Sequence, residues 1–127
     1  MQKAYLDIKG KYKILTIISA VLILISFPYF FPHFVHGHGL HVGIHLASVI
    51  LGLFLSIVGV LVYLEYKTKR LFLMLCAFCA ITLVEIVSSV NIVFLFWPSH
   101  TNMDSLFTHG LILATLSFFA VGIFRTD

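Results

Sequence analysis

Five histidines, His33, His36, His38, His41 and His45, fall within thirteen residues, and His100 and His109 complete the seven in the chain. Imidazole is the commonest metal-ligating side chain and also an exchanger of protons near neutral pH. His41 and His45 are four residues apart, a spacing that sets two imidazoles on one face of an α-helix as a ligand pair. Copper and zinc are the metals that imidazole suits. His33, His36 and His38 would then supply a looser outer set.

A second chemical group is Glu85, the single charge within the apolar residues 71–97. A carboxylate inside a bilayer is costly and marks a candidate functional site. It has four open roles: a neutral acid, a partner of protonated His109, a metal ligand, or a group steadying a ligand. A plain hydrogen bond between helices is the structural alternative. For the histidines two other readings stand beside copper or zinc. One is a b-type haem held between His45 and His109 from two helices. The other is that histidines near a membrane face simply tolerate a polar boundary. Cys76 and Cys79 form a C-x-x-C without a nearby histidine or second pair, which fits packing better than zinc or redox chemistry. No nucleophile-and-base pattern, phosphate loop or nucleotide motif is present, so no catalytic activity of the chain's own is expected.

These groups must be positioned by a membrane protein. Of 127 residues, 61% are hydrophobic and only 10% charged, with a mean hydropathy of +1.09, against about 25% charged residues in soluble domains. One domain fills this length. The net charge of +3 follows topology and carries no nucleic-acid signal. Four apolar runs predict an all-α, up-down four-helix bundle, with helices over residues 14–31, 41–64, 71–97 and 105–124. Residues 1–13 read as a basic lead-in, and the first helix as a retained span, because no small-x-small cleavage site follows it. Pro28 and Pro32 are expected to end that helix, with the histidines on the loop beyond it.

Lys and Arg occur as four in the lead-in, three in the turn at 65–70 and one at Arg125. None occurs in the other two connections. By the positive-inside rule both termini are cytoplasmic and the histidine loops face outward, in a multi-pass protein of the cell membrane.

On the second helix His41, His45, Ser48, Gly52, Ser56 and Gly59 share one face, and small residues there allow close helix approach. Thr82, Glu85, Ser88 and Ser89 form a polar strip on the third helix, and Gly110, Ala114 and Ser117 follow His109 on the fourth. At ~1.5 Å per residue from the basic ends, His45 lies ~30 Å up, Glu85 ~22 Å and His109 ~24 Å. The three are expected to converge in the outer half of the membrane.

His45 opening the second helix, the Lys67-Thr68-Lys69-Arg70 turn, the helix from Leu71-Phe72-Leu73 to Glu85, and His109-Gly110 opening the fourth helix resemble small four-helix membrane proteins of archaea. Some archaeal proteins of this size are accessory subunits of the archaeal ammonia monooxygenase, a copper-dependent membrane complex. The likeness is one of layout over residues 41–124, and none of that enzyme's catalytic motifs matches this chain. It implies a helper subunit without an active site of its own, with the bilayer and other membrane subunits as partners. The expected function is therefore an accessory or structural subunit of a redox complex, with an outward histidine site for copper or zinc.

Overall fold

The computed structural model describes residues 7–37, 39–97 and 103–124. His38, His100, Pro98 and Arg125 lie outside the described residues, with most of the expected polar loop before the fourth helix. The described chain forms four helices, α1 (Ile8–Val35), α2 (Gly39–Tyr66), α3 (Lys69–Phe94) and α4 (Met103–Phe124). Each is long and apolar enough to cross a membrane. At ~1.5 Å per residue the longest reach about 42 Å, beyond the ~30 Å hydrocarbon core, so their charged ends extend past it.

The boundaries correct the expectation at three places, each for a local reason. Lys9, Lys11 and Lys13 belong to α1 itself, which starts where the Asp7 side chain caps it by accepting the Gly10 N–H at 2.7 Å. An N-cap carboxylate satisfies an amide that would otherwise lack a partner. Pro28 and Pro32 do not end α1; both lie inside it, and the helix continues to Val35. A proline removes one backbone donor, but in hydrocarbon every other backbone group still needs its helical partner, and leaving the helix there would orphan several. The stop comes instead at His36, whose backbone N–H and ring both approach the Pro32 carbonyl, followed by Gly37 at φ +85°. Finally, α3 ends at Phe94 rather than Trp97. Leu95 turns left-handed at φ 49° and donates its N–H to the Asn91 carbonyl, while the Asn91 side chain accepts the Trp97 N–H.

Consecutive helices pack on one another, α1 on α2, α2 on α3 and α3 on α4. The short connection at 67–68 forces α2 and α3 antiparallel. Lys67 adopts φ 49° and Thr68 caps α3 by accepting the Leu71 N–H. Small residues set the closeness of this pair. A Cβ placed on Gly52 would meet Thr82 Oγ1 at 2.6 Å, and one on Gly59 would meet Leu75 and Phe78. Ser56 and Thr82 hydroxyls lie 3.2 Å apart across the seam. Aromatic edges and Gly122, close to Leu73, dock α4, with Phe78 and Phe119 centroids 5.9 Å apart. No more than 17% of any spanning window is buried within the chain, so most apolar side chains face outward, where lipid takes the place of a protein core.

Candidate functional site

The α2–α3 seam that Gly52 and Thr82 hold closed carries the chain's polar site toward its histidine end. Gly52, Ser56 and His45 share the α2 face that meets α3, and Thr82 and Glu85 are adjacent on the facing strip. His45 Nδ1 lies 2.9 Å from Glu85 Oε2. The side chains are 20% and 26% exposed, so the pair is mostly enclosed by helices and opens partly to the surroundings. The offset of about one turn expected between the two levels is spanned by the side chains themselves.

His41 stands one turn from His45 toward the start of α2. Their rings meet edge to face with centroids 4.7 Å apart, as the four-residue spacing requires. His41 is exposed. Helix α3 contributes further order beneath Glu85: the Ser89 hydroxyl donates to the Glu85 carbonyl at 2.7 Å, and the Thr82 hydroxyl to the Phe78 carbonyl. Both hydroxyl protons go to carbonyls of α3 itself, and the Glu85 carboxylate meets His45. The described lysines and Arg70 belong to the basic ends of α1 and α3, with Lys67 between α2 and α3. Glu85 is therefore the formal charge of this site among the described residues.

The other expected ligands are placed differently. His33 is in α1 rather than on a loop, half-buried, with its Nδ1 buried and lacking a hydrogen-bond partner among the described residues. His36 is exposed and its Nδ1 is 2.6 Å from the Pro32 carbonyl. His109 is exposed on α4 and is itself engaged. Among the described residues no group of three or more His, Cys, Asp or Glu side chains is gathered as a metal ion would need. Of the expected set the structure joins His45 to Glu85 and sets the His41 ring against that of His45, two successive contacts and not a three-ligand cluster. Cys76 is half-buried and Cys79 exposed, both as free thiols.

Two features were not foreseen. The Ser56–Thr82 contact joins residues that the sequence shows on two separate polar faces, and only helix register brings them together. An apolar cleft of about 380 Å³ lies between α1, α2 and α3, with Tyr29 and Phe94 on its wall. Its hydroxyls from Ser26 and Ser89 donate to the Leu22 and Glu85 carbonyls of their own helices, so it offers hydrocarbon contact rather than polar chemistry.

The chemical capacity of the site follows from the pair. A carboxylate on one imidazole nitrogen orients the ring and leaves Nε2 for another task, the arrangement by which proteins steady metal-binding histidines. Compared with family models, curated proteins and solved structures, the chain shows no match to any of them.

Proposed function

We propose that this chain is a small accessory subunit of a larger redox complex in the cell membrane, both termini cytoplasmic, with a transition-metal site of copper or zinc at its outward end. The observation that carries this reading is the 2.9 Å contact between His45 Nδ1 and Glu85 Oε2. It leaves the second nitrogen of His45 as a donor beside His41, on a rigid helix face. The layout resembles small four-helix membrane proteins of archaea, some of which are accessory subunits of the archaeal ammonia monooxygenase, and that resemblance supports such a role. The lipid-facing surface that the helices leave outside their own packing gives neighbouring subunits ample area for docking.

The test is to purify the chain from its native membrane in mild detergent and measure metal content, absorption spectrum and accompanying proteins. Copper or zinc near one per chain, lost in His41→Ala and His45→Ala while helicity is retained, together with stable partner subunits, is the expected result. A Soret band would replace the metal site by a haem. A metal-free protein without partners would refute the proposal.

A further inference from the structure

We infer that the cleft between α1, α2 and α3 is a lipid site. It takes one hydrocarbon chain of a glycerolipid from the leaflet on the histidine side, and His33 hydrogen-bonds the uncharged oxygen that joins this chain to glycerol. The room in the cleft is about 380 Å³, within the ~300–1,000 Å³ usual for small-molecule sites. Phe30 and Val49, each 7% exposed, and Ser89 at 8% form its floor, whereas Ile25, Tyr29 and Phe94 on its wall are 62%, 52% and 56% exposed. The cleft is thus closed toward the helices and open sideways, the direction from which a membrane molecule arrives. Helix α1 packs on α2 and reaches α3 through the Tyr29 and Phe94 rings, whose centroids are 6.0 Å apart. Beneath that bridge the chain's own side chains leave the space unfilled.

Depth and bore identify the occupant. On α1 the cleft runs from Leu22, at the middle of the helix Ile8–Val35, to Tyr29 and Phe30, and His33 follows one turn further on the same face. The rise from Leu22 to His33 is about 16 Å, close to the ~15 Å that one leaflet contributes to a ~30 Å hydrocarbon core. A chain anchored at the interface therefore ends where the cleft ends. Spread over the ~12 Å from Leu22 to Phe30, the volume gives a mean cross-section of about 30 Å², enough for one hydrocarbon chain; a partner helix about 10 Å across needs ~80 Å². The head end is set by His33, whose Nδ1 is buried without a hydrogen-bond partner among the described residues, while Nε2 is not enclosed. An enclosed N–H without an acceptor is costly, so the ring carries its donor on Nε2, toward the open side. A lipid whose chain lies in the cleft has its linkage oxygen one turn beyond Tyr29, level with that donor.

The experiment uses the full chain in nanodiscs of dioleoylphosphatidylcholine, with a trace of the same lipid carrying a nitroxide midway along one chain. Methyl NMR reads the broadening at Val49, which is buried in the cleft, against Leu51, two residues away and 54% exposed. Lipid that merely surrounds the protein broadens Leu51 more; a chain seated in the cleft broadens Val49 more, and that is the expected result. Native mass spectrometry after stripping with detergent should find one retained lipid per chain. His33→Phe keeps a ring and removes the donor, and should lower that retention by about 2–10-fold, the worth of one hydrogen bond. Leu51 broadened as strongly as Val49, or no lipid retained, overturns the inference. So does a dimer without retained lipid, in which a second chain covers Tyr29 and Phe94. Displacement of the lipid by a prenylated benzoquinone at equal mole fraction overturns the choice of occupant. Undiminished retention in His33→Phe of unchanged helicity overturns the contact assigned to the head. The wild-type measurements need no variant to fold.

Discussion

Gly52→Ala tests whether the close α2–α3 approach is what holds the histidine site together. A Cβ at Gly52 would lie 2.6 Å from Thr82 Oγ1, 3.2 Å from Thr82 Cβ and 3.3 Å from Thr82 Cα. The hydroxyl cannot simply rotate away, because the Cβ and Cα of Thr82 are also inside ordinary contact distance. Against the 3.4 Å at which ordinary contact begins, the 2.6 Å approach is 0.8 Å too short, so α3 has to move. Alanine improves helix propensity by about 1 kcal/mol relative to glycine, while overpacking costs about 1–3 kcal/mol. The net change is a loss of up to about 2 kcal/mol. The same displacement would carry His45 and Glu85 from 2.9 Å to beyond about 3.6 Å, where a hydrogen bond no longer exists. The assay is equilibrium unfolding in mixed detergent micelles followed by circular dichroism, with nitrogen NMR of His45 on the same samples. Gly43→Ala and Gly110→Ala are the controls, since a Cβ there meets nothing within 4 Å, and both should gain up to about 1 kcal/mol from propensity alone. Thr82→Ala should recover part of the Gly52→Ala loss by removing the nearest atom. A Gly52→Ala protein as stable as the two controls would refute the packing described for this seam.

Three other outcomes follow from single contacts. In a double-mutant cycle, His45→Ala and Glu85→Ala should couple by about 0.6–1.7 kcal/mol, between the average and the maximum for hydrogen bonds between membrane helices; additive losses in the same unfolding assay would mean the two side chains do not interact. Leu95→Gly relieves a left-handed residue at φ 49° and should stabilise the chain by up to about 1.5 kcal/mol in that assay, the ~1–2 kcal/mol left-handed penalty less the ~0.5–1 kcal/mol entropy cost of glycine; a loss would contradict the α3 stop. A lipid-soluble thiol reagent should modify exposed Cys79 before half-buried Cys76, and peptide mapping by mass spectrometry reports the order.

The readability of the site differs residue by residue. Glu85 stands out because a single charge in a long apolar segment is costly and marks a candidate site, and His41 with His45 because a spacing of four sets two side chains on one helix face. The depth count brings His45, Glu85 and His109 to one region but sets Glu85 level with His109 and names His109 as its ion-pair partner, whereas the contact formed is with His45. Nothing in the composition distinguishes that arrangement from pairing with His109, because counting residues along helices resolves height and leaves rotation about the helix axis open. Pro28 and Pro32 misled for a related reason. Proline is a stop signal where water can satisfy the freed carbonyls, and a weaker one where only the helix can.

By itself the sequence determined four membrane-spanning helices, since apolar runs of this length have to form helices in hydrocarbon where each backbone group needs an internal partner. It also determined that the described histidines gather toward one end, because the short connections reverse the chain between successive spans. Tertiary structure alone decided that Gly52 lies against Thr82, that Ser56 meets Thr82, and that the Glu85 carboxylate reaches His45 Nδ1 at 2.9 Å. Those contacts depend on how two helices are turned and offset against each other. That is settled by the fit of small side chains along the whole seam, and no local stretch of sequence carries it.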